Sequence, residues 1–262
     1  MLFRSKLDLV IWPEGKDTIG YFFDAQGKVH REDMNILRKT GFENLTVPLV
    51  AGSGSLNDAT GMNRNTAAYV QPGKWPPGFY HKMVRLIFGE YFPFWEYFPG
   101  WLRRMIPYAG NIDAGTECPL FDLPAARGPH RFRILICYEA ILPDFVRHAE
   151  RDADFLVNVT EDIWYGKTSH VGQHLSVLML RAIENRISIA RAANAGPSGV
   201  IDPAGRMRER TVPFEKSEGV FTLRPTHLGT FYAQLGFAFP GVCVPVGVAF
   251  LWRLLRQERQ AR

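Results

Sequence analysis

Short apolar runs that alternate with stretches of helical spacing constrain the fold of this 262-residue chain more than any other feature. "LDLVIW" (7–12), closed by Pro13, reads as a buried strand. "LTVPLVAGSGS" (45–55) reads as a strand running into a turn, and "NTAAYVQ" (65–71) as another strand. "RFRILICYE" (131–139) alternates and then turns apolar, as a strand does on entering a core, and "ADFLVNVT" (153–160) repeats the pattern. "SIARAANAG" and "SGVIDPAGR" add two more strands and a Pro-Ala-Gly turn. Between these runs, residues 29–40 carry charges at helical spacing and predict a surface helix, 143–151 predict a second, and "HVGQHLSVLMLRAIENR" (170–186) a third. Strands and helices in alternation predict an α/β layered fold, and the length suits one large domain.

The carboxyl end breaks this rhythm. From Leu235 to Trp252, "LGFAFPGVCVPVGVAFLW" runs 18 residues without a charge. That is the lower edge of what crosses a bilayer as a helix, so a transmembrane helix is expected at 235–252. Arginines follow at once, so the basic tail 253–262 is expected in the cytoplasm and everything upstream outside it.

Several function classes fall away early. The net charge of +5 comes with no Lys/Arg run, so no nucleic-acid partner is read. Cys118, Cys137 and Cys243 form no CxxC pattern, which speaks against a zinc site, and an odd count speaks against a disulfide framework. His170 and His174 stand at i,i+4 but lack the acidic partner of a metalloprotease helix, so no metal is expected. Gly52 and Gly54 do not form a dinucleotide fingerprint, and no cofactor is expected.

Chemistry concentrates at Cys137, at the end of a strand and followed by Tyr138 and Glu139. A thiol attacks as thiolate and needs a base or a positive neighbour. Glu14 in "WPEG" lies just past an apolar strand beside Trp12, where partial desolvation suits a general base. Lys82 in "YHKMVRLIFGEYFP" could steady an oxyanion, with Glu90 holding its ammonium in place. The aromatic-rich run 86–110, with Trp95, Trp101, Arg103 and Arg104, reads as an exposed interfacial lid able to meet lipid chains and anionic headgroups.

In the order Glu of "WPE", Lys of "YHK", Glu of "FGEY" and Cys of "CYE", the sequence resembles the nitrilase superfamily. Within it, the sequence is most similar to the catalytic domain of the apolipoprotein N-acyltransferase family. "NRNTAAYV", "LIFGEYFPF", "NVTEDIWYG", "RAANAGPSGVIDPAGR" and "TFYAQLG" agree with that resemblance, which runs from about Leu7 to the carboxyl end.

The resemblance implies a four-layer α-β-β-α sandwich over residues 1–230, shorn of its opening strand, and a catalytic triad of Glu14, Lys82 and Cys137. It implies supporting roles for Glu90, Tyr138 and Glu139, and lipid contacts for Trp12, Trp95, Trp101, Arg103 and Arg104. The implied substrates are a phospholipid acyl donor and the diacylglyceryl-cysteine of an apolipoprotein. The implied place is the bacterial inner membrane with the catalytic domain on the periplasmic side. Members of the family carry membrane-spanning helices ahead of this domain, so a separate membrane-spanning part is an expected partner. Glu161 in "TEDIWYG" departs from the family, which tends to have Asn there. Two other readings stay open: a soluble amidase using the same triad, and an inactive shortened homologue.

Overall fold

The computed structural model describes residues 7–15, 19–24, 26–32, 46–105 and 112–260, and within them two mixed sheets lie face to face. The first holds β1 (Val10–Trp12), β2 (Ile19–Phe23), β3 (Val29–Glu32), β4 (Leu49–Asn57), β5 (Met62–Val70) and β6 (Gly78–His81). Its order is β3-β2-β4-β5-β6. β1 and β2 run parallel to successive halves of one edge of β4: Val10–Trp12 lie against Leu49–Ala51, and Ile19–Phe23 against Gly54–Asn57. The pairing along this edge breaks after Trp12, and Glu14 sits in that break.

The second sheet holds β7 (Phe121–Ala125), β8 (Gly128–Ile136), β9 (Phe155–Glu161), β10 (Ser188–Asn194) and β11 (Gly199–Ile201), ordered β11-β10-β9-β8-β7. β8, β9 and β10 are parallel, and the two edge strands are antiparallel. Parallel neighbours need a crossover, supplied between β8 and β9 by α2 (Pro143–Ala149) and between β9 and β10 by α3 (His170–Asn185). A short helix α1 (Gly100–Met105) lies within the aromatic-rich run, and α4 (Phe231–Leu235) and α5 (Ala238–Gln260) are the last elements described.

Strand alternation builds two cores. Phe132, Ile134 and Ile136 of β8 meet Val50, Ala67, Tyr69 and Tyr80 between the sheets. Leu135 points the other way, with Leu156 and Ile189, onto Val146, Leu175, Leu178 and Ala182 of the helices. Strands covered on both faces read as near-continuous apolar runs, which is why β8, β9 and β10 are plain in the sequence.

Three expectations are corrected. Val29–Glu32 is a strand paired antiparallel with β2, not the start of a helix over 29–40; the rest of that prediction lies outside the described residues. "GSGS" is not a turn, because β4 continues through it to Asn57. The run 235–252 is not one helix: α4 ends at Leu235, Gly236 takes a left-handed φ of 55°, and α5 begins at Ala238. From Ala238 to Trp252 the charge-free stretch spans roughly 22 Å at about 1.5 Å per residue, short of a hydrocarbon core of about 30 Å. Among the described residues, no helix is long and apolar enough to cross a membrane.

The glycine at 52 is required by space. A Cβ there would stand 2.5 Å from the Glu14 Cα and 2.5 Å from the Pro13 carbonyl oxygen. Replacing Gly52 by Ala is expected to push the Glu14 segment off β4 and cost about 1–3 kcal/mol of stability. A thermal unfolding midpoint equal to that of the unaltered protein would contradict this packing.

Candidate active site

Four chain segments converge where the break after β1 meets the ends of β6 and β8. Glu14, Asn65, Lys82, Glu90 and Glu139 are all buried, each no more than 3% exposed. Such a concentration of charge away from water is costly unless each group is paired. Each is paired. The Lys82 ammonium bonds both carboxylate oxygens of Glu90 at 2.9 Å. Glu90 Oε2 also accepts the Leu86 N–H at 2.8 Å. Burial alone would raise the Glu90 pKa, but the Lys82 charge and hydrogen bond, the Leu86 N–H and Asn65 outweigh it and hold the carboxyl below its ordinary range. Lys82 is raised above its ordinary value: burial opposes the charge, and Cys137, Glu90 and Glu14 together override that opposition.

Glu14 accepts the Asn65 side-chain N–H on Oε1 at 2.6 Å and the Glu161 backbone N–H on Oε2 at 2.9 Å. Its own carbonyl accepts the Asn194 side-chain N–H at 2.8 Å. The break in the β1–β2 line is therefore pinned from β5, β9 and β10.

Cys137 follows the last residue of β8 with a left-handed φ of 49°, a conformation that a non-glycine residue adopts at a cost. The next residues tighten into a 3-10 turn, Cys137–Ile141. Glu139 holds that turn in place. Its Oε2 accepts the Ile136 N–H at 2.9 Å, and its Oε1 accepts the N–H groups of Met83 and Val84 at 2.7 and 3.0 Å. One buried carboxylate thereby ties the turn that carries Cys137 to the two residues after Lys82. Its burial pushes its pKa up to about 7 against the pull of the Val84 and Ile136 N–H groups.

Burial and the charge of Glu14 push the Cys137 thiol up to about 11, while Lys82, Thr160 and the Glu161 N–H pull it part of the way back. At neutral pH the sulfur carries its proton, so attack needs a base to remove it at that moment. Tyr165, whose pKa is raised by burial and by the charge of Cys137, overlooks the same site. Behind it lies a buried polar network. Arg191 donates to Asp162 Oδ2 at 2.6 Å and to Asn158 Oδ1 at 2.7 Å, and Asp162 Oδ1 bonds His174 Nδ1 at 2.8 Å. Asp162 opens the turn Ile163–Tyr165, so this network anchors the loop that carries Trp164 and Tyr165.

Of the residues singled out in the sequence, the structure brings together Glu14, Lys82, Glu90, Cys137 and Glu139. Tyr138 is half-buried beside them. Trp12 ends β1, two residues before Glu14, and is 38% exposed. Trp95, Trp101, Arg103 and Arg104 lie on the segment beyond Glu90. There the Arg103 guanidinium stands 6.0 Å from the Trp95 ring centre and donates to the Phe98 carbonyl. Phe88, Phe94, Tyr97 and Trp101 are all more than half exposed. Asn65, Thr160, Tyr165 and Arg191 were not singled out, although "NRNTAAYV", "NVTEDIWYG" and "RAANAGPSGVIDPAGR" contain them. His174 serves Asp162, and no three metal-ligating side chains gather among the described residues.

Comparison with known proteins gives the family and the fold. The profile of the carbon-nitrogen hydrolase family matches residues 2–223. A protein of Bdellovibrio bacteriovorus named apolipoprotein N-acyltransferase is 33% identical over 238 residues, covering 87% of this chain and 43% of the relative. One of the same name from Chlorobaculum tepidum is 32% identical over 274 residues, covering 98% of this chain and 50% of the relative. The chain thus spans about half the length of the curated relatives it matches. Two solved structures share the fold. Saccharomyces cerevisiae Nit3, of the nitrilase superfamily, matches with a TM-score of 0.55 at 13% identity, over 79% of this chain and 73% of its own. XC1258 of Xanthomonas campestris, a CN-hydrolase superfamily protein, matches with a TM-score of 0.56 at 18% identity, over 80% of this chain and 75% of its own.

The charge arrangement predicts opposite shifts in the thiol. Glu14→Gln removes a raising charge, so the pH profile for alkylation of Cys137 by iodoacetamide moves below about 11. Lys82→Met removes a lowering charge and moves it upward. Shifts absent or reversed in mass-resolved alkylation rates would contradict the arrangement.

Proposed function

Because the chain belongs to the carbon-nitrogen hydrolase family, we propose that it transfers a fatty acyl group through a thioester on Cys137. The donor is a phospholipid, and the acceptor is the free α-amino group of diacylglyceryl-cysteine at an apolipoprotein's amino end. The observation that supports the reading is a chain of hydrogen bonds: the Asn65 side chain donates to Glu14 and Glu90, Glu90 holds Lys82, and Glu139 ties the turn that carries Cys137 to the residues after Lys82. The relatives' name supplies the substrate class.

The steps follow from these groups. Cys137 Sγ attacks the ester carbonyl carbon as Glu14 takes the thiol proton, which a thiol near 11 does not surrender unaided. Negative charge gathers on the former carbonyl oxygen, and the Lys82 ammonium, oriented by Glu90, offsets it. The intermediate collapses; the lysophospholipid oxygen leaves with the proton from Glu14, and the thioester remains. The acceptor's neutral amine then attacks that carbonyl and gives a proton to Glu14. The carbon–sulfur bond breaks, the sulfur recovers that proton, and an amide is released. Amines attack thioesters readily, and a water-poor pocket limits hydrolysis.

A phospholipid donor implies work at a membrane surface. The exposed Phe88, Phe94, Tyr97 and Trp101, with Arg103 and Arg104, form a face suited to chains and anionic headgroups. Trp12 and Trp95 lie along the same approach in this reading, which places the catalytic domain on the periplasmic side of the inner membrane.

Incubation with phospholipid is expected to add one acyl mass to the peptide holding Cys137. A diacylglyceryl-cysteine peptide then discharges it as an amide. Cys137→Ala abolishes the adduct, and Lys82→Ala slows its formation about 10²–10³-fold. No adduct on Cys137 would refute the reading, and discharge only to free fatty acid would favour a hydrolase.

A further inference from the structure

One residue bonds Glu14, Lys82 and Glu90 together and has no part in the steps above. Asn65 is fully buried on β5, opposite Gly54 of β4. Its backbone carbonyl accepts the Lys82 N–H at 2.8 Å, which fixes where the lysine leaves β6. Its side-chain nitrogen donates to Glu14 Oε1 at 2.6 Å and to Glu90 Oε1 at 3.1 Å. Its side-chain oxygen is buried with no hydrogen-bond partner among the described residues. Buried polar atoms are ordinarily satisfied, and one that is not calls for a reason. The reason lies at the other end of the amide. Turned round, the oxygen would face two carboxylate oxygens, so the two acceptors dictate the orientation and leave the oxygen unmet.

We propose that Asn65 is the positioning residue that lets Glu14 and Glu90 remain ionised side by side, one amide N–H directed to each, and so keeps Glu14 available as the base. This deepens the thioester reading and rests on it. Two carboxylates in one pocket repel, and without relief one of them holds a proton at higher pH. The charge of Lys82 is directed onto Glu90. Towards Glu14 the Asn65 side chain and the Glu161 N–H donate, and the Lys82 charge reaches it through space. The other titratable groups that sense this pocket are the Cys137 thiol and the Glu139 carboxyl from the turn after β8, the Tyr165 hydroxyl from the turn after β9, and the Arg191 guanidinium from β10. Asn65 is the neutral donor set between the two carboxylates.

The test is the pH dependence of Cys137 acylation by p-nitrophenyl butyrate, read as the p-nitrophenolate burst in the full chain. In this step the C–S bond forms, p-nitrophenolate leaves and the thiol proton goes to Glu14. Asn65→Leu fills the space without a donor. Its acidic limb is expected to move up by about one pH unit, roughly a tenfold loss below the limb, with the rate regained at higher pH. Asn65→Asp, nearly the same shape, puts a third carboxylate in place of the amide. It is expected to be slow at neutral pH and to gain relative to the unaltered protein as the pH falls, because a shared proton restores a donor. Profiles that coincide with the unaltered protein, or that fall by one factor at every pH, overturn the proposal. No burst from the unaltered protein at any pH overturns the thioester reading itself, and the proposal with it.

Discussion

The buried ion pair between Lys82 and Glu90 is the constraint on which the rest of this structure depends. Both side chains are almost wholly removed from water, at 1% and 2% exposure. Leaving either without the other would cost about 3–5 kcal/mol, whereas a well-packed apolar pair in the same space would be no less stable. Stability alone is therefore a poor reason for the pair. Its effect is electrical. It plants one fixed positive charge in a low-dielectric pocket, next to a thiol that burial keeps protonated and the carboxylate proposed to take its proton. A charge already oriented and dry need not reorganise when an oxyanion forms.

The backbone is bent to serve that arrangement at two points. β4 accepts two separate strands along one edge, and the gap between them lets Glu14 turn into the pocket against the bare face of Gly52. At the end of β8 the chain turns left-handed at Cys137 and is held there by Glu139, which reaches across to the residues after Lys82. The base, ammonium and nucleophile of the proposed reaction come from positions 14, 82 and 137, so no local segment can assemble the site. Only the facing of the two sheets does. The Asp162–Arg191–His174 network then closes the far side and anchors the loop bearing Tyr165.

How much of this was legible in the sequence follows from burial. β8, β9, β10 and α3 are clear because they are covered on both faces or carry one apolar stripe. Val29–Glu32 was misleading: a polar edge strand and a polar helix carry similar charges, and only its pairing with β2 settles which it is. The glycines of "GSGS" suggested a turn because a glycine needed for close approach looks the same as one needed for its φ. The charge-free run near the carboxyl end reads as a single helix from Leu235, but the chain breaks at Gly236 and Phe237 and the long helix starts only at Ala238. The side chains gathered in the pocket were legible through the family resemblance and their unlike chemistries. Asn65, Thr160 and Arg191 were not, since a polar residue inside a strand reads as its solvent face until the facing sheet is known.

The central claim is that one buried ammonium, fixed by its carboxylate, makes the thiol acylable rather than merely holding the fold together. Replacing the pair by neutral side chains of similar size, Lys82→Met with Glu90→Gln, separates those two roles. The most direct measurement is the rate of Cys137 acylation in that double variant, alongside its unfolding free energy. The account predicts a cooperatively folded protein whose acylation is slowed by at least about 10²-fold. A folded double variant acylated at the unaltered rate would contradict it.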